Sequence, residues 1–394
     1  MGKLWQKGAK LDRRVEAYTV GDDHILDREL VKYDCLGSIA HAKMLGKIGI
    51  LTDDEVDSLV TALQEIIDQG SLQILPEQED CHTAIENYLT EKLGKVGEKI
   101  HTGRSRNDQV LTALRLYYLD KIGECRGAVD SLVGELQGLS ERDGGTPMPG
   151  YTHMRKAMPS SVALWCGAFV ESAKDNLALL DAAEKLMDQS PLGTAAGYGV
   201  PLEIDRQLTA DELGFSRIQE NPIYAQMSRG KFEVTLLHAL GQIMFDLNKL
   251  ASDLILFSMP EFGYFSLPEE LCTGSSIMPQ KQNPDVLEIM RGKYHTVKAC
   301  EREVAGVSAD LGSGFHRDFQ LTKGPTMRGV DVTLKSLEIA SLVVSAISVN
   351  TERCQESMTD ELFATERAYD LVQEGVPFRE AYRRVADELR EKGS

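Results

Sequence analysis

Residues 226–259, QMSRGKFEVTLLHALGQIMFDLNKLASDLILFSM, decide the fold class of this 394-residue chain. Large apolar side chains recur there at alternating steps of four and three, at Leu236, Leu240, Ile243, Leu247, Leu250, Leu254 and Phe257. This heptad spacing predicts a single helix of about 50 Å, at about 1.5 Å per residue. A rod of that length cannot bury its seam in a small monomer, so the pattern favours a bundle of long helices that other subunits complete.

Helical spacing marks most of the remaining chain as well. Further long apolar patterns follow Asn107, Pro159, Pro284 and Thr326. Residues 34–49 also carry apolar side chains near helical spacing, and Thr52 followed by Glu55 predicts a capping box at the next helix. The chain is therefore predicted to be all-α.

Composition and charge exclude several classes of protein. A hydrophobic content of 42% and a charged content of 26% are typical of a globular chain. The formal net charge of −18 argues against nucleic-acid binding, because a phosphate backbone would be repelled. The apolar run at residues 334–349 contains Lys335 and Glu338, which predicts a buried helix and no membrane partner.

The termini and cysteines add two further expectations. The opening residues carry charges and no apolar core, so no signal peptide is predicted and the chain is expected in the cytoplasm. Seven cysteines are scattered along the chain without a CxxC pair. That spacing predicts neither a disulfide framework nor a zinc site, and a metal is not expected.

Residues 272–288, CTGSSIMPQKQNPDVLE, form a polar loop that glycine and prolines keep out of helix. Such a loop suits removal of a proton from a carbon next to a carboxylate, which needs a base and fixed donors where charge develops. Ser275 offers an oxygen base, while Lys281 and Asn283 offer stabilising donors. By composition alone, a surface linker rich in turn formers is an equal alternative.

Two other motifs precede predicted helices. Residues 101–110, HTGRSRNDQV, place arginines and capping residues at a helix start, which suits carboxylate binding. A capped helix with solvated arginines is the alternative. Residues 149–159, PGYTHMRKAMP, are likewise expected to open a helix. A lone histidine such as His153 is more often a structural hydrogen-bonding group than a catalyst.

Taken together and in order, these motifs resemble the signatures of the fumarase/aspartase superfamily, and the Met-Pro-Gln-Lys core of the loop is most similar to argininosuccinate lyases. The resemblance runs from Leu4 to about Val385, with Trp5 fitting the opening of such chains. It implies an all-α fold of three domains, at residues 1–105, 106–350 and 351–394. The central domain would join a multi-subunit core of long helices in a homotetramer whose active sites are shared between subunits.

The resemblance also implies a reaction and roles for named residues. Argininosuccinate would be cleaved to arginine and fumarate by anti elimination, the last step of arginine biosynthesis, without metal or organic cofactor. Ser275 and His153 would be the acid and base, in an order left open, with Glu288 pairing with His153. Lys281 and Asn283 would hold the carboxylate of this small dicarboxylate substrate. The remaining groups would be positioned by Ser105, Arg106, Asn107, Thr152, Gln320 and Lys323.

Several positions depart from the argininosuccinate lyase pattern. Asp23 stands where the pattern has a serine, Phe315 where it has a tyrosine, and Met154-Arg155 where it has Leu-Gln. A carboxylate at Asp23 is able to pair with a guanidinium, so arginine recognition by charge is one interpretation. Two alternatives therefore stay open: a related fumarate-releasing lyase with another amino leaving group, and a non-catalytic structural tetramer.

Overall fold

The computed structural model describes residues 12–391, and within them the chain is mostly helical, which confirms the predicted all-α class. The expectation for Leu4 and Trp5 lies outside the described residues. The helices are α1 (Arg13–Val20), α2 (Asp23–Leu26), α3 (Val31–Lys47), α4 (Asp53–Gln69), α5 (Cys81–Leu93), α6 (Lys95–Glu98), α7 (Arg106–Asp143), α8 (Val162–Met187), α9 (Arg206–Glu212), α10 (Pro222–Met227), α11 (Lys231–Ser258), α12 (Asp285–Ser308), α13 (Lys323–Ala346), α14 (Thr351–Glu356), α15 (Ala364–Gln373) and α16 (Phe378–Glu391).

The helix that carries the heptad seam is shorter than predicted. It is α11 and begins at Lys231, because Gly230 has φ +78° and separates it from α10. A side chain at Gly230 would collide with Ser308, so glycine is required there. Every seam residue is at most 7% exposed in the single chain. The seam is therefore buried within one chain, and the prediction that it needs other subunits to cover it is wrong.

The helix expected to follow residues 149–159 is present as α8, but these residues do not form its first turn. They belong to an antiparallel hairpin of β1 (Pro147–Thr152) and β2 (Arg155–Ser161), and α8 begins only after it. Pro149 and Pro159 face each other across the hairpin, and neither has the N–H that a helix interior needs. A second, minimal sheet pairs β3 (Phe265–Ser266) with β4 (Ser348–Val349).

The described chain divides into two compact units. The first unit comprises the described residues up to Cys125 with Leu179–Leu240 and Val297–Asp331; the second comprises Arg126–Ala178, Gly241–Thr296 and the described residues from Val332 onward. Helices α7, α8, α11, α12 and α13 contribute residues to both units. The three-domain boundaries after residues 105 and 350 stay a prediction.

Each unit has helices that pack against one another. In the first, α3 packs against α4 and α5, and the predicted capping box of Thr52 and Glu55 starts α4. In the second, α15 packs against α16 around Ala368, Ala381 and Val385. None of the helices within residues 12–391 combines the length and apolar character that crossing a membrane requires.

Candidate active site

The first unit contains a polar cavity of about 120 Å³, hereafter the unit-1 cavity. Four of the predicted substrate-binding residues line it: Arg106, Asn107, Gln320 and Lys323. Asp23 and Phe315, two of the departures from the family pattern, line it too. The structure thus brings together motifs that lie up to 300 residues apart in the sequence, as Asp23 and Lys323 do.

The motif before α7 is held by its own capping residues. The Ser105 hydroxyl accepts a hydrogen bond from the backbone N–H of Asn107 at 3.3 Å. The buried Asp108 carboxylate accepts from the N–H groups of Ser105, Gly193 and Ala195 at 2.8–2.9 Å. Ser105 is not among the residues that line the unit-1 cavity, so its observed contacts are those of a helix cap.

Neither arginine of this motif is freely solvated: Arg104 is buried, and Arg106 is partly buried and ion-paired, which disfavours that alternative. Arg104 is buried and donates from Nη1 to the Ser38 hydroxyl at 2.9 Å. Arg106 donates from Nη1 to Glu79 at 3.1 Å and to Asp80 at 2.9 Å. The guanidinium of Arg106 therefore reaches the cavity already oriented by two carboxylates.

Lys323 is buried and paired with two carboxylates. Its ammonium lies 3.1 Å from Asp23 Oδ1 and also contacts Asp27. Burial lowers the pKa of this ammonium, but Asp27 and Asp23 outweigh that effect, so the pKa of Lys323 is raised. Burial raises the pKa of Asp23 although Lys323 opposes the rise. Two carboxylates against one ammonium leave a local excess of negative charge.

Gln320 and Phe315 occupy another part of the cavity lining. The Gln320 side-chain amide donates to the carbonyls of Thr19 and Val20, both at 3.0 Å, so these contacts leave its amide oxygen unused. Phe315 has no hydroxyl to offer, and its ring centroid lies 5.4 Å from the guanidinium carbon of Arg229. The position that carries tyrosine in the family pattern therefore contacts a cation here.

Sequence reasoning missed a buried histidine–aspartate pair, whose histidine, His82, lines the same cavity. His82 Nδ1 lies 3.1 Å from Asp34 Oδ2, and Gln109 also donates to Asp34 at 2.8 Å. Burial lowers the pKa of His82, but Asp34 and Asp80 outweigh that effect and raise it. His82 Nε2 is buried without a hydrogen-bond partner in the described chain. The alternation of acids and histidine in EDCHT, residues 79–83, was the available sequence signal.

One group of side chains has atoms close enough to share a metal ion. Asp27, Cys81 and His82 place their potential ligand atoms within 4.8 Å of one another. The Lys323 ammonium already contacts Asp27 and competes with a cation there. Burial and nearby carboxylates raise the pKa of the Cys81 thiol well above its ordinary value, which keeps it protonated. These neighbours disfavour a metal ion at this position.

The polar loop belongs to the second unit and is closed at its base. Thr273 and Asn283 exchange two backbone hydrogen bonds of 3.0 and 2.8 Å. Within the loop, Ser275 Oγ accepts from the N–H groups of Met278 at 3.1 Å and Ile277 at 3.4 Å. Two donors aimed at this oxygen favour negative charge on it, as an oxygen base requires.

The other predicted site residues of the loop region differ in their exposure to solvent. Lys281 and Glu288 are exposed, and the Lys281 ammonium has no hydrogen-bond or ion-pair partner within residues 12–391. Asn283 donates from its side chain to the Gly274 carbonyl at 3.3 Å. Glu288 lies in the first turn of α12. Of these groups only Asn283 is oriented by the loop itself.

His153 lies at the tip of the β1–β2 hairpin, also in the second unit. His153 and Met154 have φ +51° and +57°, and Thr152 and His153 are exposed. The hairpin is anchored by Lys156, which donates to the Ser357 carbonyl at 2.8 Å. Across the part of the chain that the structure describes, no hydrogen bond joins His153 to Glu288, so that pairing stays a prediction.

Comparisons with known proteins agree with the motifs. A family model described as lyase matches residues 7–298. An argininosuccinate lyase from Thermotoga neapolitana is 52% identical over 99% of this chain and 99% of its own length. An argininosuccinate lyase from Sorangium cellulosum is 46% identical over 98% of this chain and 90% of its own length.

Solved structures share the fold at lower identity. An EDDS lyase in complex with formate has a TM-score of 0.83 at 24% identity, covering 98% of this chain and 78% of that chain. A class II fumarase from Schistosoma mansoni has a TM-score of 0.81 at 17% identity, covering 94% and 91%. At such identities these two structures show the all-α fold alone.

Proposed function

Since the chain belongs to the lyase family whose model covers residues 7–298, we propose that it is a carbon–nitrogen lyase that cleaves argininosuccinate to arginine and fumarate. The observation that carries the proposal is the 52% identity to an argininosuccinate lyase over 99% of both chains. The geometry supports it in two places: the donors around Ser275 suit proton transfer, and the unit-1 cavity offers paired charges that suit a zwitterionic substrate.

The reaction takes one proton from carbon, delivers one to nitrogen and shifts two electron pairs. A base removes a proton from the succinyl carbon next to a carboxylate, and the electron pair left behind spreads into that carboxylate. This pair then forms the carbon–carbon double bond of fumarate as the carbon–nitrogen bond breaks; the pair of the broken bond leaves on the guanidino nitrogen, which takes up a proton. Ser275 and His153 are the two proton-transfer groups; the N–H groups of Ile277 and Met278 suit Ser275 to the base role.

Lys281 and Asn283 are proposed to stabilise the carboxylate that becomes a dianion. An exposed ammonium acts weakly, because water screens it. Its effect grows when the loop is covered and water is excluded. Lys281, Thr152 and His153 are exposed, which supports a homotetramer whose active sites combine residues of several subunits. In such an assembly Glu288 would reach the His153 of another copy.

Arg106, Asn107, Gln320 and Lys323 are proposed to hold the rest of the substrate in the unit-1 cavity, with Ser105 fixing the start of α7. The chemistry needs no redox change and no electron sink beyond the carboxylate, so the proposal includes no metal or organic cofactor. A cytoplasmic location is part of the proposal.

The test is fumarate release from argininosuccinate, followed by ultraviolet absorbance, with aspartate and adenylosuccinate in parallel. We expect fumarate from argininosuccinate and from neither of the others. Fumarate from adenylosuccinate alone would contradict argininosuccinate as the substrate but would still support an elimination reaction. No fumarate from any of the three would contradict the enzymatic proposal.

A further inference from the structure

Arg229 is a buried cation whose guanidinium forms no hydrogen bond within residues 12–391. Its side chain lines the unit-1 cavity, and the residue is 5% exposed. The guanidinium carbon lies 5.4 and 5.1 Å from the ring centroids of Phe315 and Phe319. Its Nε and Nη1 atoms are buried, and no partner for them exists among residues 12–391. The aromatic rings therefore hold the guanidinium without using its N–H groups.

Arg115, in the same unit, shows what a structural arginine looks like in this fold. It is 1% exposed, and its Nη1 donates to the Gln189 carbonyl at 2.5 Å. Its Nη2 donates to the Gln219 side chain at 2.6 Å and to the Ser228 hydroxyl at 3.0 Å. Buried arginines normally have such partners, because a desolvated charge without them is costly. Arg229 has no such partner among residues 12–391, which points to a ligand that enters the cavity.

The remaining cations of the cavity already have partners. Lys323 faces Asp23 and Asp27, and Arg106 faces Glu79 and Asp80. Arg317 is exposed and donates to the Thr19 carbonyl at 3.0 Å. Glu233, four residues after Arg229 in the sequence, attracts the guanidinium but forms no hydrogen bond or ion pair with it among the described residues. Glu233 is itself buried, and burial raises its pKa. An anion that enters the cavity would therefore find the donors of Arg229 free.

We propose that Arg229 binds the α-carboxylate of the arginine half of the substrate, as a specificity-determining residue of the unit-1 cavity. The inference rests on the proposed function. The succinyl carboxylate that becomes a dianion is assigned to Lys281 and Asn283. Of the two remaining carboxylates, only the α-carboxylate has an ammonium on its own carbon, which suits a cavity lined by charges of both signs. Asp23 lies in the same cavity and supplies a carboxylate for the neighbouring α-ammonium. A carboxylate and a guanidinium that line one cavity match the two charges of an α-amino acid.

The experiment compares calorimetric binding of L-arginine with that of agmatine, which lacks the carboxylate. Wild-type protein should bind arginine at least about tenfold more tightly than agmatine, as expected for a desolvated charged hydrogen bond. In Arg229→Met, arginine should lose at least about tenfold in affinity while agmatine changes less than about twofold. Arg229→Lys keeps the charge without the planar fork and should lie between the two.

Thermal unfolding of Arg115→Met provides the matched control. It should lower the melting temperature, because acceptors of Arg115 would be left buried and unpaired. Arg229→Met should not, because it removes a buried charge that has no hydrogen-bond partner. A loss of melting temperature in Arg229→Met as large as that in Arg115→Met would assign Arg229 a structural role and overturn the inference.

If Arg229→Met fails to fold, Arg229→Lys carries the mutational test, and an unchanged preference for arginine over agmatine in that variant would overturn the inference. The wild-type protein provides a further test. Equal affinity for arginine and agmatine, or no binding of arginine, would overturn the role of Arg229. Fumarate release by the same preparation tests the proposed function separately. Release of fumarate together with equal affinity for arginine and agmatine would refute the inference and leave the reaction standing.

Discussion

The charged side chains of the unit-1 cavity and those of the polar loop at residues 272–288 differ in how firmly the chain orients them. In the cavity, Lys323 and Arg106 are each oriented by two carboxylates, and His82 is held by Asp34. In the loop, the backbone fixes Ser275, but the Lys281 ammonium is exposed to solvent. The difference suggests that recognition of the arginine half is built into one chain, whereas the catalytic groups reach full strength only when another surface covers them.

The largest effect is expected for Ser275→Ala. Loss of a proton-transfer group should lower kcat by about 10²–10⁴-fold. The assembly should be unchanged, because Ser275 bonds only within its own loop. Steady-state kinetics and light scattering check both statements. Ser276→Ala is the matched control, and near-normal turnover of Ser275→Ala would contradict its role.

A smaller effect is expected for Glu288→Gln. A carboxylate on an imidazole raises its basicity, so losing it should lower kcat by about 10–100-fold, by analogy with outer partners of ligating histidines. The pH–rate profile should change as well. Glu352, which is exposed in the first turn of α14, provides the control variant Glu352→Gln. An unchanged profile in Glu288→Gln would mean that the proposed pair with His153 does not act in catalysis.

Asp23→Ser probes the cavity instead of the loop and restores the residue of the family pattern. Removing the carboxylate leaves Lys323 with Asp27 alone and lowers the attraction for a substrate cation. KM for argininosuccinate should rise about tenfold, with kcat changed much less. Asp22→Ser, at the exposed neighbouring position, should behave as wild type. A fall in kcat with KM unchanged would place Asp23 in the chemical step.

The smallest effect concerns stability against pH and involves His82. Its pKa is raised in the folded protein, so its contribution is fully present below the ordinary value of 6.5 and is lost as pH rises through the raised value. His82→Asn keeps a donor toward Asp34 but cannot be charged. The variant should melt about 2–4 °C lower than wild type at pH 5–6, and the gap should close on the alkaline side. A gap that is independent of pH would contradict the assigned charge.

Local patterns predicted the fold class, and contacts distant in sequence escaped prediction. The heptad seam gave α11, but not its break at Gly230, where a positive φ ends the periodic pattern. The hairpin was missed because its tip is His153-Met154, and neither residue is the glycine or asparagine that usually signals such a turn. His82 and Asp34 are 48 residues apart, and only the packing of α3 on α5 brings them together.

The candidate site was predicted unevenly for the same reason. Motif similarity identified Arg106, Asn107, Gln320 and Lys323, which the structure gathers around one cavity. Motif similarity gave no indication that Lys323 would be ion-paired with both Asp23 and Asp27, because ion pairing depends on burial and distance in the folded chain. Arg229 carries no sequence signal: only its burial and its unpaired donors single it out.

The division between a prepared cavity and an exposed loop is tested most directly by dilution. Fumarate release per subunit and calorimetric arginine binding would be measured across the concentrations at which light scattering shows the assembly dissociating. We expect activity to disappear with dissociation while the separated chains still bind arginine. Fully active monomers, or loss of arginine binding together with activity, would contradict the account.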